Sequence, residues 1–518
     1  MIKRRTFVKN VGIAVAGMPI VLNNIKYQPI QKKLFNYNKS AEDRVLVIVR
    51  LNGGNDGLNT VIPLDQYDNL VIQRQNILIP ENQLLDLNQN NLALHPSMTG
   101  MKNMFEGGQL GIIQNVGYPD QNRSHFRSMD IWSTGKMDPF EHSGWLGRHF
   151  DEKYPGYPDD YPNEDYPDPF AISMGYSVSE TCQGLLSNFS HAVSNPFDAY
   201  NLTENQGLDD GTYFGSHMAY LSNLIMQSNA YGSQINAAAN AGNTLSSLYD
   251  ANNPIAVQLR YVAQMISGGL KTKVYILNLD GFDTHNAQVS STSVLTGRHA
   301  DLMKTLSDAL AAFQDDLNLL GLSHRVAGFT FSEFGRQVAS NASRGTDHGD
   351  AAPMFLFGEC ISSQIIGPNP VISDTIQNQE AVPMQIDFRD VYASLLKDWF
   401  LVPESDIEPL FEHTVQYINL LGACNLGVDD LAKNKDGLTL FPNPATDRTN
   451  LRFEADGDSY TLQVIDMNGR TVLEPFSGRT LSGEQTIPLE TYDLKAGFYT
   501  VRLYSRKAVK AVKLIIAD

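Results

Sequence analysis

Four short strings in this chain set carboxylates and imidazoles beside glycines. They are Asn52-Gly53-Gly54-Asn55-Asp56-Gly57-Leu58-Asn59, Asp280-Gly281-Phe282-Asp283-Thr284-His285, Ser332-Glu333-Phe334-Gly335-Arg336 and Gly345-Thr346-Asp347-His348-Gly349. Carboxylate oxygen with imidazole nitrogen is a ligand set for Zn²⁺, Mn²⁺ and similar ions. Glycine lets a backbone turn sharply and approach a ligand closely. One such string means little; several at equivalent places in one fold point to a metal site.

The elements before the strings supply those equivalent places. Val45-Leu46-Val47-Ile48-Val49 is a continuous β-branched run suited to a strand buried on both faces, and it leads into the first string. Val274-Tyr275-Ile276-Leu277 leads into the second and Val326 to Phe331 into the third, with a further apolar run from Met354 to Phe357. Helical periodicity marks Ile255 to Ile266, Arg298 to Leu320 and Phe388 to Phe400. Strands alternating with helices predict an α/β fold with a mostly parallel sheet flanked by helices. In such sheets, sites form at the carboxyl ends of strands, where these strings lie.

The totals bound the organisation. The chain has 518 residues, 42% of them hydrophobic, enough for a large core and more than one domain. A formal net charge of -18 makes nucleic acid a poor partner. Cys182, Cys360 and Cys424 are too few and odd in number for a disulfide framework, and read as buried small apolar residues. Tyr154-Pro155-Gly156-Tyr157-Pro158-Asp159-Asp160-Tyr161 reads as a rigid surface loop, with calcium binding or a sugar-facing aromatic rim as the sharper alternative. His299 and His324 read as surface residues, and His95 as a loop histidine without evident partners.

The ends carry addresses. Met1-Ile2-Lys3-Arg4-Arg5-Thr6-Phe7-Val8-Lys9 precedes a short apolar run from Val11 to Leu22. That is an export signal, too short to span a bilayer, and no other segment is an integral membrane span. Arg4-Arg5 with Phe7 and Lys9 resembles the twin-arginine signal, which implies the twin-arginine translocase as a partner; a general secretory signal is the alternative. Short strand-like pieces at Leu451-Phe453, Tyr460-Asp466, Thr486-Pro488, Gly497-Tyr504 and Val509-Ile516, separated by turns such as Asn468-Gly469, predict a small C-terminal β-sandwich. The reading divides the chain into a signal and linker over 1–40, a body over 41–424, a linker over 425–437 and the sandwich over 438–518.

Phe441-Pro442-Asn443-Pro444-Ala445, Asp466-Met467-Asn468-Gly469-Arg470 and Leu494-Lys495-Ala496-Gly497-Phe498-Tyr499, in that order, resemble the type A sorting domain of the type IX secretion system of Bacteroidetes. That resemblance implies export to the cell surface or medium by the type IX machinery, and removal of the tail with attachment to surface lipopolysaccharide or release.

The four strings of the body resemble the exported family known as domain of unknown function 1501, of the alkaline phosphatase and sulfatase superfamily. The resemblance implies an alkaline-phosphatase-like body that holds divalent metal: Zn²⁺, Mn²⁺ or Ca²⁺. Carried over, Asp283 and His285 match one ligand pair and Asp347-His348 another. A rival alignment puts Glu333 in place of that aspartate, with His348 as a later lone histidine. Asp56 and His125 complete the candidate ligands. Ser124 is the candidate nucleophile, with Arg123 holding an oxyanion; alternatively Ser124 and His125 cap a helix starting near Phe126. The chain departs from the superfamily at Asn52, where active members carry aspartate. Two functions stay open: a metal-dependent hydrolase of phosphate or sulfate esters, and a non-catalytic surface protein binding glycan or a partner on the same fold.

Overall fold

The computed structural model describes residues 43–198, 212–422 and 438–516, apart from residues 363, 377, 378, 442, 444, 466–470, 496 and 506–508. The leader with Arg4-Arg5, the segment 425–437 and the Asn468-Gly469 turn lie outside the described residues. Contacts divide the chain into two units, Met1–Cys424 and Asn425–Asp518.

The first unit is built on a nine-stranded sheet. In chain order its strands are β1 Val45–Asn52, β2 Leu110–Gly117, β3 Ala171–Met174, β4 Ser190–Val193, β5 Val274–Asp280, β6 Val326–Phe331, β7 Ala352–Phe357, β8 Ile365–Ile366 and β9 Ile386–Asp387. Their spatial order is β8-β2-β7-β6-β1-β5-β3-β4, with β9 also beside β2. β1 runs parallel to β5 and β6, while β7 is antiparallel to both β6 and β2. Register places Asn52 opposite Asp280 and Arg50 opposite Phe331, so the first three strings leave the sheet side by side.

The alternation of β1 separates two cores. Val45, Val47, Val49 and Leu51 face one, with helices α1 Thr99–Glu106, α4 Tyr213–Ala241, α5 Pro254–Ser267 and α6 Arg298–Leu319 contributing the covering residues. Leu46 and Ile48 face the other, with α2 His125–Thr134, α3 Trp145–Lys153 and α7 Phe388–Asp398. The expected α/β architecture is therefore present. β2 escapes the apolar-run reading because Gln114 and Asn115 interrupt it. Both are nonetheless buried, their amides satisfied by Asn369 and the Pro368 carbonyl.

Three sequence expectations change. His299 is not a surface residue: it lies in the first turn of α6 at 1% exposure, with Nε2 at 3.1 Å from Asn55 Oδ1. His95 is buried too; its Nδ1 accepts the Ser97 N–H, and its ring meets the His299 ring edge-on at 5.7 Å between centroids. Cys360 is disulfide-bonded and only Cys182 is a free buried thiol among the described residues.

The second unit has two antiparallel sheets. One orders Thr439–Phe441, Arg448–Asp456 and Ser482–Glu490; the other orders Thr471–Arg479, Ser459–Ile465, Gly497–Tyr504 and Val509–Ile516. Alternate residues including Leu451, Phe453, Leu462, Val464, Leu489, Val501, Leu503 and Leu514 share one core, as expected of a small sandwich. No helix among the described residues is long and apolar enough to cross a membrane.

Candidate metal centre

The loop after β1 reaches the neighbouring loops because Gly53 and Gly54 hold φ of 123° and 81°. A Cβ on Gly53 would lie 2.3 Å from the Asp283 nitrogen, and one on Gly54 2.4 Å from the Phe334 ring. Other side chains would be strained and obstructed there. Arg336, 2% exposed, then fastens the loops. Its guanidinium donates to the carbonyls of Gly53, Gly54 (2.7 Å), Phe282 (3.1 Å) and Thr346 (2.8 Å), and to Asp283 Oδ1 at 2.7 Å.

α2 delivers His125 as its first residue. The helix is pinned through the Glu333 carbonyl, which accepts from Ser128 Oγ and from Trp132 Nε1 at 2.9 Å. The Glu333 side chain accepts from the Gly53 N–H at 2.9 Å and from His125 Nδ1 at 2.7 Å. Phe334 packs against both His125 and His348, with centroids at 4.9 and 4.6 Å.

Three imidazoles thereby share one arrangement. His125 gives its Nδ1 proton to Glu333, His285 gives its own to Asp347 at 2.8 Å, and His348 gives its own to the Arg123 carbonyl at 2.8 Å. A carboxylate or carbonyl in that place only accepts, so in the neutral imidazole each Nε2 is left with its lone pair. The Nε2 atoms turn toward Asp283: His285 at 3.2 Å and His348 at 3.3 Å from Oδ1, His125 at 3.7 Å from Oδ2. His125, Asp283 and His348 offer ligand atoms all within 4.8 Å of one another. An imidazole oriented through its far nitrogen is the usual condition of a metal ligand.

Charge follows this geometry. Burial pushes the Asp283 carboxyl up, but hydrogen bonding and attraction from Arg336, with His285 and His348, outweigh it and hold the carboxyl below its ordinary range. The hydrogen bond from His285 holds Asp347 down as well. The hydrogen bond to Glu333 raises His125, whereas burial and then Arg336 lower His348.

The remaining candidates sit elsewhere in the arrangement. Glu333 accepts from His125 and Asp347 from His285, so neither carboxylate partners His348, whose Nδ1 meets the Arg123 carbonyl. Asp56 points away from the histidine cluster: both its oxygens bind Arg74, at 2.9 and 2.8 Å, in a fully buried ion pair, and Gln288 donates to Oδ2 at 2.6 Å. Arg123 holds Asp350 through Nε at 2.7 Å and Nη2 at 3.0 Å, so its guanidinium is committed and its carbonyl faces His348. Ser124 occupies the N-cap position of α2, but its side chain caps nothing and is exposed. Asn52 donates to Asp280 at 2.7 Å. Sequence reasoning gave no role to Arg336 or Gln288. Arg336 ends the Ser332-Glu333-Phe334-Gly335-Arg336 string; Gln288 carries no signal at all.

All of these residues fall within residues 43–407, which match the family described as "Protein of unknown function (DUF1501)". The chain belongs to the DUF1501 family. In this DUF1501 protein, residues 439–517 match a second family, the secretion system C-terminal sorting domain, so type IX secretion handles the chain and the protein is secreted or on the cell surface. No curated protein matches the chain. Among solved structures, a protein of the alkaline phosphatase superfamily from Vibrio parahaemolyticus is 8% identical, with a TM-score of 0.34 over 81% of this chain and 76% of that one. The lipoteichoic acid synthase LtaP from Listeria monocytogenes is 9% identical, with a TM-score of 0.30 over 73% and 77%. The sulfatase PsFucS1 from Pseudoalteromonas sp. is 9% identical, with a TM-score of 0.30 over 88% and 85%. Likeness at that level carries no argument about the chemistry of this DUF1501 protein.

Proposed function

We propose that the body is a metal-dependent hydrolase of phosphate or sulfate esters that works outside the cell. One observation carries the metal: His285 Nε2 and His348 Nε2 lie 2.9 Å apart while both rings give their Nδ1 protons elsewhere. Two neutral lone pairs at that distance repel unless they share a cation. Asp283 beside them supplies an oxygen ligand and a negative charge that a divalent ion would offset.

His125, His285, His348 and Asp283 would hold the ion. Three imidazoles and one carboxylate suit Zn²⁺ or Mn²⁺; Ca²⁺ prefers six to eight oxygens and fits poorly. When bound, such an ion polarises an ester oxygen and lowers the pKa of bound water. The side chains of Asp283 and His285 are 47% and 42% exposed, which leaves a substrate access to the cluster. α2 brings its N-terminal end to the same place, and a helix N-terminus favours an anionic ester. The exposed Ser124 hydroxyl, uncapped beside His125, is the nucleophile in this reading. Arg123 positions rather than binds: Asp350 fixes its side chain, and its carbonyl orients His348.

A second reading, a non-catalytic glycan or partner binder, draws on the engagement of Arg123 by Asp350 and of Asn52 by Asp280. Metal analysis and a screen of aryl phosphates and sulfates on the purified chain separate the two. The hydrolase reading expects a bound divalent ion, with turnover abolished by chelator and restored by Zn²⁺ or Mn²⁺. A metal-free chain without turnover, with His348→Ala behaving as wild type, overturns it. Export by the twin-arginine route and attachment to surface lipopolysaccharide after tail removal complete the proposal.

A further inference from the structure

Beneath the cluster, a fully buried amide joins the two turns that carry its ligands. Gln288, Thr284 and Thr346 are all fully buried. Gln288 Oε1 accepts from Thr284 Oγ1 at 3.0 Å and from Thr346 Oγ1 at 2.9 Å, and its Nε2 donates to Asp56 Oδ2 at 2.6 Å. The amide has one workable orientation, because reversing it would set oxygen against a carboxylate. Thr284 stands between Asp283 and His285; Thr346 directly precedes Asp347 and His348. Asp56 is fixed in turn by Arg74, whose guanidinium also donates to the carbonyls of Val338 (2.7 Å) and Gln337 (2.8 Å).

We propose that Gln288 is a positioning residue for the metal centre, setting the spacing between the Asp283-His285 turn and the Asp347-His348 turn. The inference rests on reading the cluster as a metal centre. It also gives Asp56 a purpose: the carboxylate holds the amide that holds the ligands. The turns are joined through their backbones as well, Thr346 N–H donating to the Thr284 carbonyl at 3.2 Å. That bond sets one distance only. Arg336 bridges the turns through Asp283 and the Thr346 carbonyl, and Asn341 Nδ2 donates to the His285 carbonyl and to Asp347; the two hydroxyls on a single oxygen add a fully buried restraint beneath these. Metal ligands tolerate errors of a few tenths of an ångström, and removing a group that orients them costs affinity.

Competition with a chromophoric chelator measures Zn²⁺ affinity on the full chain, and the absorption spectrum of the Co²⁺-loaded chain reports ligand geometry. Thr284→Val and Thr346→Val keep shape and burial but remove a hydroxyl. Each is expected to weaken Zn²⁺ about 10–100-fold and shift the Co²⁺ spectrum, with the metal-free chain melting near wild type. Thr284→Ser, which keeps the hydroxyl, is expected to restore both. Wild-type Zn²⁺ affinity in both valine variants overturns the proposal; so does a loss that Thr284→Ser shares. Should Thr284→Val not fold, Thr346→Val decides from the other turn. A wild-type chain that binds no Zn²⁺ overturns the metal reading itself, a result distinct from the others.

Discussion

His285 Nε2 faces His348 Nε2 across 2.9 Å, each ring already anchored by its Nδ1, one to Asp347 and the other to the Arg123 carbonyl. Neither ring can turn its N–H inward without breaking a hydrogen bond behind it. That pair carries the proposed metal centre. His348→Ala removes one nitrogen and Asp283→Asn the charge, so each is expected to lose the bound ion. Inductively coupled plasma analysis of wild type and both variants checks this; full metal occupancy in either variant would contradict the assignment.

Glu333 and Asp347 act through the histidines they orient. Glu333→Gln and Asp347→Asn keep the shape but exchange a charged acceptor for an amide. Metal affinity is expected to fall about 10–100-fold in each, with Asp347→Asn the milder. Glu333 also accepts the Gly53 N–H and is nearly buried, whereas Asp347 is half exposed. Isothermal titration with Zn²⁺ would read the order.

Arg74 and Asp56 form a fully buried ion pair. Arg74→Met strands a buried carboxylate, and the expected loss is about 3–5 kcal/mol in urea unfolding. A loss under 1 kcal/mol would show that the pair is not holding the loop after β1.

Burial lowers three histidines from their ordinary 6.5: His95 and His149 to about 3, and His299 to about 4. In the fold they stay neutral while the unfolded chain takes up protons near 6.5. Their contribution to stability is therefore complete above that value and drains away as pH falls toward the folded values. The melting temperature is expected to drop steadily from pH 6.5 to about 4, before most carboxylates titrate. His149→Phe, in α3 and away from the histidine cluster, should flatten part of that decline; an unchanged slope would remove His149 from the account.

The sorting module has its own core, separate from those of the body. Deletion of residues 438–518 should leave a folded body in the periplasm, followed by fractionation and immunoblotting. Normal surface display of the truncated chain would contradict the role of the tail.

By itself the sequence determined four strands of the central sheet, three of the flanking helices and the terminal sandwich. Each follows from local periodicity: β-branched runs such as Val45 to Val49 bury both faces, and alternation marks the module. It also placed three strings at the ends of strands 45–52, 274–280 and 326–331; the parallel pairing that sets those ends side by side belongs to the tertiary structure. Only the tertiary structure decided what each acidic residue does. Asp56 and Asp283 are both aspartates after a strand end and beside glycines, yet one faces Arg74 and the other three imidazoles. Glu333 and Asp347 became acceptors behind histidines, and Gln288 met Asp56 and Thr346, through partners far away in the chain. Periodicity records which face of an element is buried. The direction of a side chain at a loop, and the partner that meets it, depend on contacts that no local pattern encodes.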